Sequence, residues 1–396
     1  SRRRMSVLLP LATAALLGGP WLGCQPAPEP PAAPPAADPL PRLHAEGSAV
    51  VDPAGQPVQL RGVNLGAWHF HESWISGVDY ALWGRARQLG IEAGLQTAVD
   101  GALLAAGRGD DAAWLEGPFR EALVAATDEG TADALIADVA LFPSLRDDSD
   151  LPMRLQLEQR FGTAGRDELL EAFAAAWVTD ADLAWLAAAG FNLVRVPLGY
   201  RGLLTNSDTE PLTELHYNEL SWARLQWLLD SCERHGIYAV LDLQESPGGH
   251  NDYSGEATLY SDPTMQELTL QLWAELVDRF GDEPAVAAWS LLAEPFSAPS
   301  SEARDVMYDR LYQQIRASGD EHLLVIHDGF AGMWDLPDPA AMGWEGVLYS
   351  THLFEWGSDS LEDYEALIEL WRTVLGGAQD GQGVPYFIGS WSVMKD

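Results

Sequence analysis

Lysine is all but missing from this chain: its 396 residues contain one, Lys395, and Lys and Arg together number 23 against 59 Asp and Glu, a formal net charge of −36. Phosphate backbones and anionic head groups are bound by clustered Lys and Arg, so nucleic acid is excluded as a partner and a neutral ligand fits better. The acidity itself suits solubility in an extracellular setting. Cysteine is nearly as scarce, with only Cys24 and Cys232, so there is no disulfide framework. Cys232 falls in a helical run from Trp222 to His235 and reads as a small buried hydrophobe. There is no P-loop, no Gly-rich dinucleotide turn, no zinc-type Cys/His spacing and no His-Glu-x-x-His helix, and therefore no cofactor and no metal is expected. His69 and His71 share one strand face by alternation, a spacing too common in aromatic-rich segments to mark a metal pair. The apolar run Val7 to Leu17 is too short to stay in a membrane as a span.

What is present is a globular composition, 47% hydrophobic with 16 Trp, 11 Tyr and 11 Phe, which rules out a disordered chain. Arg2, Arg3 and Arg4, the apolar run, and Trp21-Leu22-Gly23-Cys24 form a signal peptide over residues 1–24. Its last four residues are similar to a bacterial lipobox, with Trp in place of the usual Leu. Lipidation at Cys24 would make this a cell-envelope lipoprotein, touching membrane only through that anchor, with ordinary secretion as the alternative. Residues 25–45 are a Pro/Ala-rich tether that stays extended, and residues 46–396 are one domain, long enough for a full core.

Within it Val50 to Val58 reads as a small hairpin turned by Pro and Gly. Apolar strand-like runs then alternate with amphipathic stretches, the signature of a parallel sheet wrapped by helices. Seven strands are expected, near Gln59–Leu65, Phe191–Leu198, Ile237–Leu243, Val286–Leu292, Leu323–His327, Val347–Thr351 and Tyr386–Gly389. Residues 81–150, rich in Ala and Asp and helical in pattern, read as an insertion after the first strand, on the substrate face. The sequence stops seven residues after Gly389. A barrel ending there would leave two unpaired edges, so a truncated record is expected.

Polar residues gather just past the C-terminal ends of these strands, and there a family resemblance lies. Leu60-Arg61-Gly62-Val63-Asn64-Leu65-Gly66-Ala67-Trp68 with Glu72-Ser73-Trp74-Ile75, Gly190 to Tyr200, Leu241-Asp242-Leu243-Gln244-Glu245 through His250-Asn251, Leu291-Leu292-Ala293-Glu294-Pro295, Ser350-Thr351-His352-Leu353-Phe354 and Phe387-Ile388-Gly389-Ser390-Trp391-Ser392 resemble, in order, motifs of the exo-β-glucanase branch of glycoside hydrolase family 5. The resemblance implies a (β/α)8 TIM barrel, here cut after its seventh strand, and a β-linked oligo- or polysaccharide as partner. It assigns Glu294 as the acid/base and places Ser390 where such enzymes carry the carboxylate nucleophile. A retaining pair stands about 5–5.5 Å apart, and a serine hydroxyl is two atoms shorter than a glutamate and uncharged. Three further departures fall in the same shell: Ala293 replaces an Asn, Gln244 a His, and Phe354 a Tyr. Arg195 would hold the β-strand-seven side chain in a relative, and with Ser390 opposite it is expected to stand unpaired or to turn to Glu294. Glu72, Trp68, Trp74, Gln244, Asn251, His352 and Trp391 are the candidate sugar contacts, with Trp391 the foremost platform and with core packing an equal alternative for Trp68 and Trp74. Glu245, Glu256 and Glu355, placed in loops at the same face, are candidates for a substitute base. Two functions remain open: a β-glucosidase or glucanase working through a non-standard base, and a non-catalytic carbohydrate-binding protein using the same cleft.

Overall fold

A computed structural model describes residues 39–72, 75, 86–87, 89–91, 93–107, 112–140, 150–251, 256–355 and 360–393. The signal peptide, Cys24, most of the tether and Trp74 lie outside the described residues. The first element is an antiparallel pair, β1 (His44–Glu46) and β2 (Ala49–Val51). It sits one turn earlier than the expected hairpin, because Gly47 takes a left-handed φ of 56° and makes the reversal. The Pro-Gly stretch still turns the chain: Asp52 Oδ1 accepts from the Ala54 and Gln56 amides, both at 2.9 Å, and Val51 bridges back to Pro57.

The main sheet has seven parallel strands in sequential order: β3 (Gly62–Asn64), β4 (Leu193–Gly199), β5 (Tyr238–Glu245), β6 (Val286–Ser290), β7 (Leu323–His327), β8 (Val347–Glu355) and β9 (Tyr386–Val393). All seven expected strands are there. β8 and β9 run four residues further than anticipated because each pairs with the other through Glu355 and Val393. Between β3 and β4 the described helices include α1 (Gln96–Ala106), α2 (Arg120–Ala126) and α3 (Glu129–Ala140), which share a cluster built on Val99, Trp114, Phe119, Leu123 and Val139. They are followed by α4 (Leu151–Trp177), kinked where Gly162 has a φ of 71°, and by α5 (Asp180–Ala188). The connecting helices α6 (Glu219–His235), α7 (Pro263–Phe280), α8 (Ser301–Ala317) and α9 (Leu361–Gln382) complete the alternation.

Local sequence explains their ends. Asn218, Asp262 and Ser300 each accept a hydrogen bond from the first turn of α6, α7 and α8 at 2.8–3.2 Å, Pro263 fills a first-turn position that needs no donor, and Gly236 closes α6 in the left-handed region. Along α6 the buried residues Trp222, Leu225, Leu229 and Cys232 recur at helical spacing and meet the outer faces of the strands.

The strands alternate between two cores. One set of positions packs against helices. The other, Leu193, Val240, Ala288, Val325 and Leu348, forms a separate cluster with Leu43 and the partly buried Phe387. Two residues further along the same faces stand Arg195, Asp242, Ser290, His327 and Ser350, and two further again Gln244 and His352. The inner face thus changes from apolar to polar toward the C-terminal ends, the end where barrel sites are built.

Candidate functional site

Glu294 closes the turn after β6. Its side chain is almost fully buried and its backbone takes a φ of 51°, left-handed for a residue with a Cβ. Its Oε1 is hydrogen-bonded to His352 Nδ1 on β8. Burial, reinforced by the Arg195 charge, pushes His352 well below the usual imidazole range. The turn before Glu294 is fixed by its carbonyl: His250 Nε2 donates to Ala293 O at 2.5 Å and Asn251 Nδ2 donates to it at 3.2 Å. Because a carbonyl only accepts, His250 carries its proton on Nε2 and receives the Ser246 hydroxyl at Nδ1, 3.0 Å away. Burial lowers the His250 pKa to about 4.

Ser390 stands opposite His352 in the register of β8 and β9, put there by a bulge between Thr351 and His352 that skips Gly389. Glycine is required at 389, since a Cβ would lie 2.6 Å from His352 Nε2. Asn64 Nδ2, on β3, donates to Ser390 Oγ at 3.1 Å.

Arg195 is neither unpaired nor turned to Glu294, as had been expected. Its Nη2 donates to Asp242 Oδ2 at 2.7 Å and to Gln244 Oε1 at 3.1 Å, all three residues being buried. The reason is register: Pro197 faces Asp242 and Arg195 faces Val240 on adjacent strands, so the long guanidinium stem reaches forward to the next inward residue of β5. Burial raises the Asp242 carboxyl, and Arg195 pulls against that rise.

The other expected contacts divide. Trp68 is 1% exposed and its indole N–H donates to Ala174 O at 3.0 Å; it is a core residue and presents no face to a sugar. Gln244 is committed to Arg195 and Asn251 to the Ala293 carbonyl. Trp391 is 64% exposed on β9, Glu72 is half-buried, and the Phe354 ring stands edge-on to His352 at 6.1 Å. The proposed loop acids also move: Glu245 is the buried last residue of β5, 3.6 Å from Arg201 Nε, and Glu256 lies 3.2 Å from Arg201 Nη2. Glu355 ends β8. His69 and His71 line a separate cavity of about 20 Å³ with Asp150, Arg154 and Glu171, and burial lowers their pKa values to about 3 and about 4. Among the described residues no group of three or more His, Cys, Asp and Glu is arranged to hold a metal ion.

Sequence reasoning missed Asp242, His250 and His327 as builders of the site. Asp242 and His250 stood inside a quoted motif, and their two-residue and i+6 spacing from Gln244 was the available signal. His327 was visible as the last residue of an apolar run; its Nδ1 accepts the Gly329 amide at 2.9 Å, leaving the proton on Nε2, and its ring packs edge-on to His352 at 4.3 Å.

A model of the cellulase family, glycosyl hydrolase family 5, matches residues 162–396. A β-xylosidase of Phanerodontia chrysosporium is 31% identical over 194 residues, which are 47% of this chain and 38% of that protein. Glucan 1,3-beta-glucosidase 2 of Saccharomyces cerevisiae is 30% identical over 184 residues, 40% of this chain and 33% of the relative. The chain therefore spans well under half the length of these curated relatives. Among solved structures, an endogalactoceramidase superposes with a TM-score of 0.53 at 19% identity, covering 90% of this chain and 69% of that one. A rutinosidase from Aspergillus niger gives 0.51 at 15%, covering 85% and 80%. Both likenesses are of fold, and they agree with the parallel sheet and its connecting helices. With the family model covering more than half of its residues, including the Glu294 turn and the β9 position, this chain belongs to glycosyl hydrolase family 5.

Proposed function

We propose that this chain recognises a β-linked, glucan-type oligo- or polysaccharide at the C-terminal ends of its strands, with Glu294 as the acid, and that it does not complete the two-step displacement of a retaining glycosidase. The observation that carries the reading is the pairing at β9: Ser390 offers a hydroxyl already engaged by Asn64, where attack on the anomeric carbon needs a carboxylate. The charge balance supports it, because Arg195 is matched by Asp242 and needs no acid on β9. The glucan assignment draws on the family and on the relatives named as glucan 1,3-beta-glucosidases. Export through residues 1–24 and anchoring at Cys24 belong to the same proposal and are supported by the lipobox-like sequence.

The test is hydrolysis of an aryl β-glucoside and of laminarin by the full chain, beside Ser390→Glu and Glu294→Gln, with laminarin binding measured on each preparation. Binding without turnover in the natural chain, and measurable turnover in Ser390→Glu, is the expected result. Turnover in the natural chain that Glu294→Gln abolishes would place a working base elsewhere and overturn the reading.

A further inference from the structure

Away from the Glu294 turn, the small cavity beside His69 gathers polar atoms that the protein itself does not pair. It has a volume of about 20 Å³ and is lined by residues of α4, of the segment after β3 and of the start of α6. Among the described residues, four of its lining side chains each keep a buried atom with no hydrogen-bond partner: His69 Nε2, Asp150 Oδ1, Arg154 Nη2 and Glu171 Oε2. Their other contacts hold them in place. Arg154 Nε donates to Asp208 Oδ2 at 3.0 Å, Glu171 Oε1 accepts from Arg224 Nη2 at 2.5 Å, and the Asp150 carbonyl accepts from the Arg154 amide at 3.0 Å. The His69 ring stands edge-on to Trp68 at 4.3 Å. Leaving a buried donor or acceptor unpaired costs free energy, so four such atoms around one space define what that space takes.

The guest's chemistry follows from theirs. A guanidinium only donates and an ionised carboxylate only accepts. A cation would face Arg154, and among the described residues no group of three or more His, Cys, Asp and Glu is arranged to hold one; an anion would face Asp150 and Glu171. The guest is therefore neutral, with two hydrogens for the carboxylates and lone pairs for the donors. Burial lowers the His69 pKa to about 3, so its ring is neutral and carries one proton, which Nε2 can present. The volume of about 20 Å³ exceeds the roughly 10–15 Å³ that one water needs and is too small for a sugar ring. We propose that this cavity is a binding site for a single water molecule, which accepts from Arg154 Nη2 and His69 Nε2 and donates to Asp150 Oδ1 and Glu171 Oε2. Its place in the fold gives it a task. Asp150 and Arg154 stand before the kink that Gly162 makes in α4 and Glu171 stands after it, while His69 follows β3. One four-coordinate molecule thus ties both arms of the kinked helix to the sheet, independently of any ligand at Glu294.

The experiment is crystallography of the full chain at a resolution that shows single waters, above the Asp150 pKa of about 6, together with nitrogen-15 spectra of its histidine rings. One density peak with four contacts of about 2.7–3.2 Å, and a proton on His69 Nε2, is the expected result. His69→Phe, which removes a donor and fills the space with carbon, should lose the peak and lower the thermal midpoint. Direct pairing of Arg154 with Asp150 or Glu171 and no peak between them overturns the site, as does a His69 proton on Nδ1. Contacts of about 2.0–2.6 Å or an anomalous signal would make the guest a cation and overturn it equally. A peak kept in His69→Phe with the midpoint unchanged refutes the four-group assignment. Should His69→Phe fail to fold, the density and the ring spectra of the natural chain decide alone.

Discussion

Replacing Asp242 by Asn removes one charge from the sheet interior and changes almost no volume. The Arg195–Asp242 contact is 2.7 Å with side chains 5% and 1% exposed, so water screens it little. Two unit charges about 4 Å apart at an effective dielectric near 20 interact by about 4 kcal/mol, and removing one partner of a buried pair commonly costs about 3–5 kcal/mol because the other charge stays behind. Part of this is returned, since burial already raises the Asp242 carboxyl and Gln244 Oε1 still accepts from Arg195. The expected loss is about 2–4 kcal/mol, read from guanidinium unfolding of the full chain followed by tryptophan fluorescence. The cycle sharpens it. Arg195→Met in the Asp242→Asn background should recover stability, giving a coupling of about 2 kcal/mol, while Glu294→Gln, which relieves only the repulsion of a second carboxylate, should couple more weakly with Asp242→Asn. A loss below about 1 kcal/mol in Asp242→Asn, with strong coupling to Glu294 instead, would refute the assignment of Asp242 as the counter-charge.

Two further outcomes are expected. His69, His71 and His250 are held at about 3, about 4 and about 4, below the unfolded value near 6.5. Their stabilisation is thus complete above pH 6.5 and is lost as pH falls toward 4, at about 1.4 kcal/mol per pH unit for each. Asp150, raised to about 6 by burial, acts with the opposite sign between about pH 4 and 6 and cancels one of the three. Denaturation at pH 7, 6 and 5 should show the net decline, shallower by about one proton in His250→Asn; a flat profile would contradict neutral burial. Cys24→Ser, expressed from the complete gene in a bacterial host, should move the protein from the membrane pellet to the soluble fraction, and an unchanged distribution would remove the lipid anchor from the proposal.

Much of the sheet was legible because its strands are fully buried. Runs such as Leu193–Gly199 and Tyr238–Glu245 are buried along their whole length, and apolar runs alternating with amphipathic stretches located all seven. The positions of Glu294 and Ser390 were legible by motif. Pairings between neighbouring strands were not. Arg195 meets Asp242 through a one-step forward reach that depends on register, and nothing in either segment encodes that offset. Trp68 is open from sequence between a sugar contact and core packing, and only the fold decides it, by spending the indole N–H on the Ala174 carbonyl. The left-handed backbone of Phe330, at a φ of 65°, was invisible for a different reason: it is imposed by the hydrogen bond from its amide to Asp328 and by Arg304 on the Asp328 carbonyl, neither of which is local propensity.

The left-handed backbone at Glu294 has a bearing on how that carboxylate is placed. At a φ of 51° glycine is free of strain and asparagine nearly so, whereas glutamate carries a penalty of about 1 kcal/mol or more. The side chain is held against that penalty by the buried His352, whose Nδ1 grips its carboxylate, so the strain goes into fixing an acid whose place is set by the backbone turn and one partner rather than by a free rotamer, as the proposed function requires.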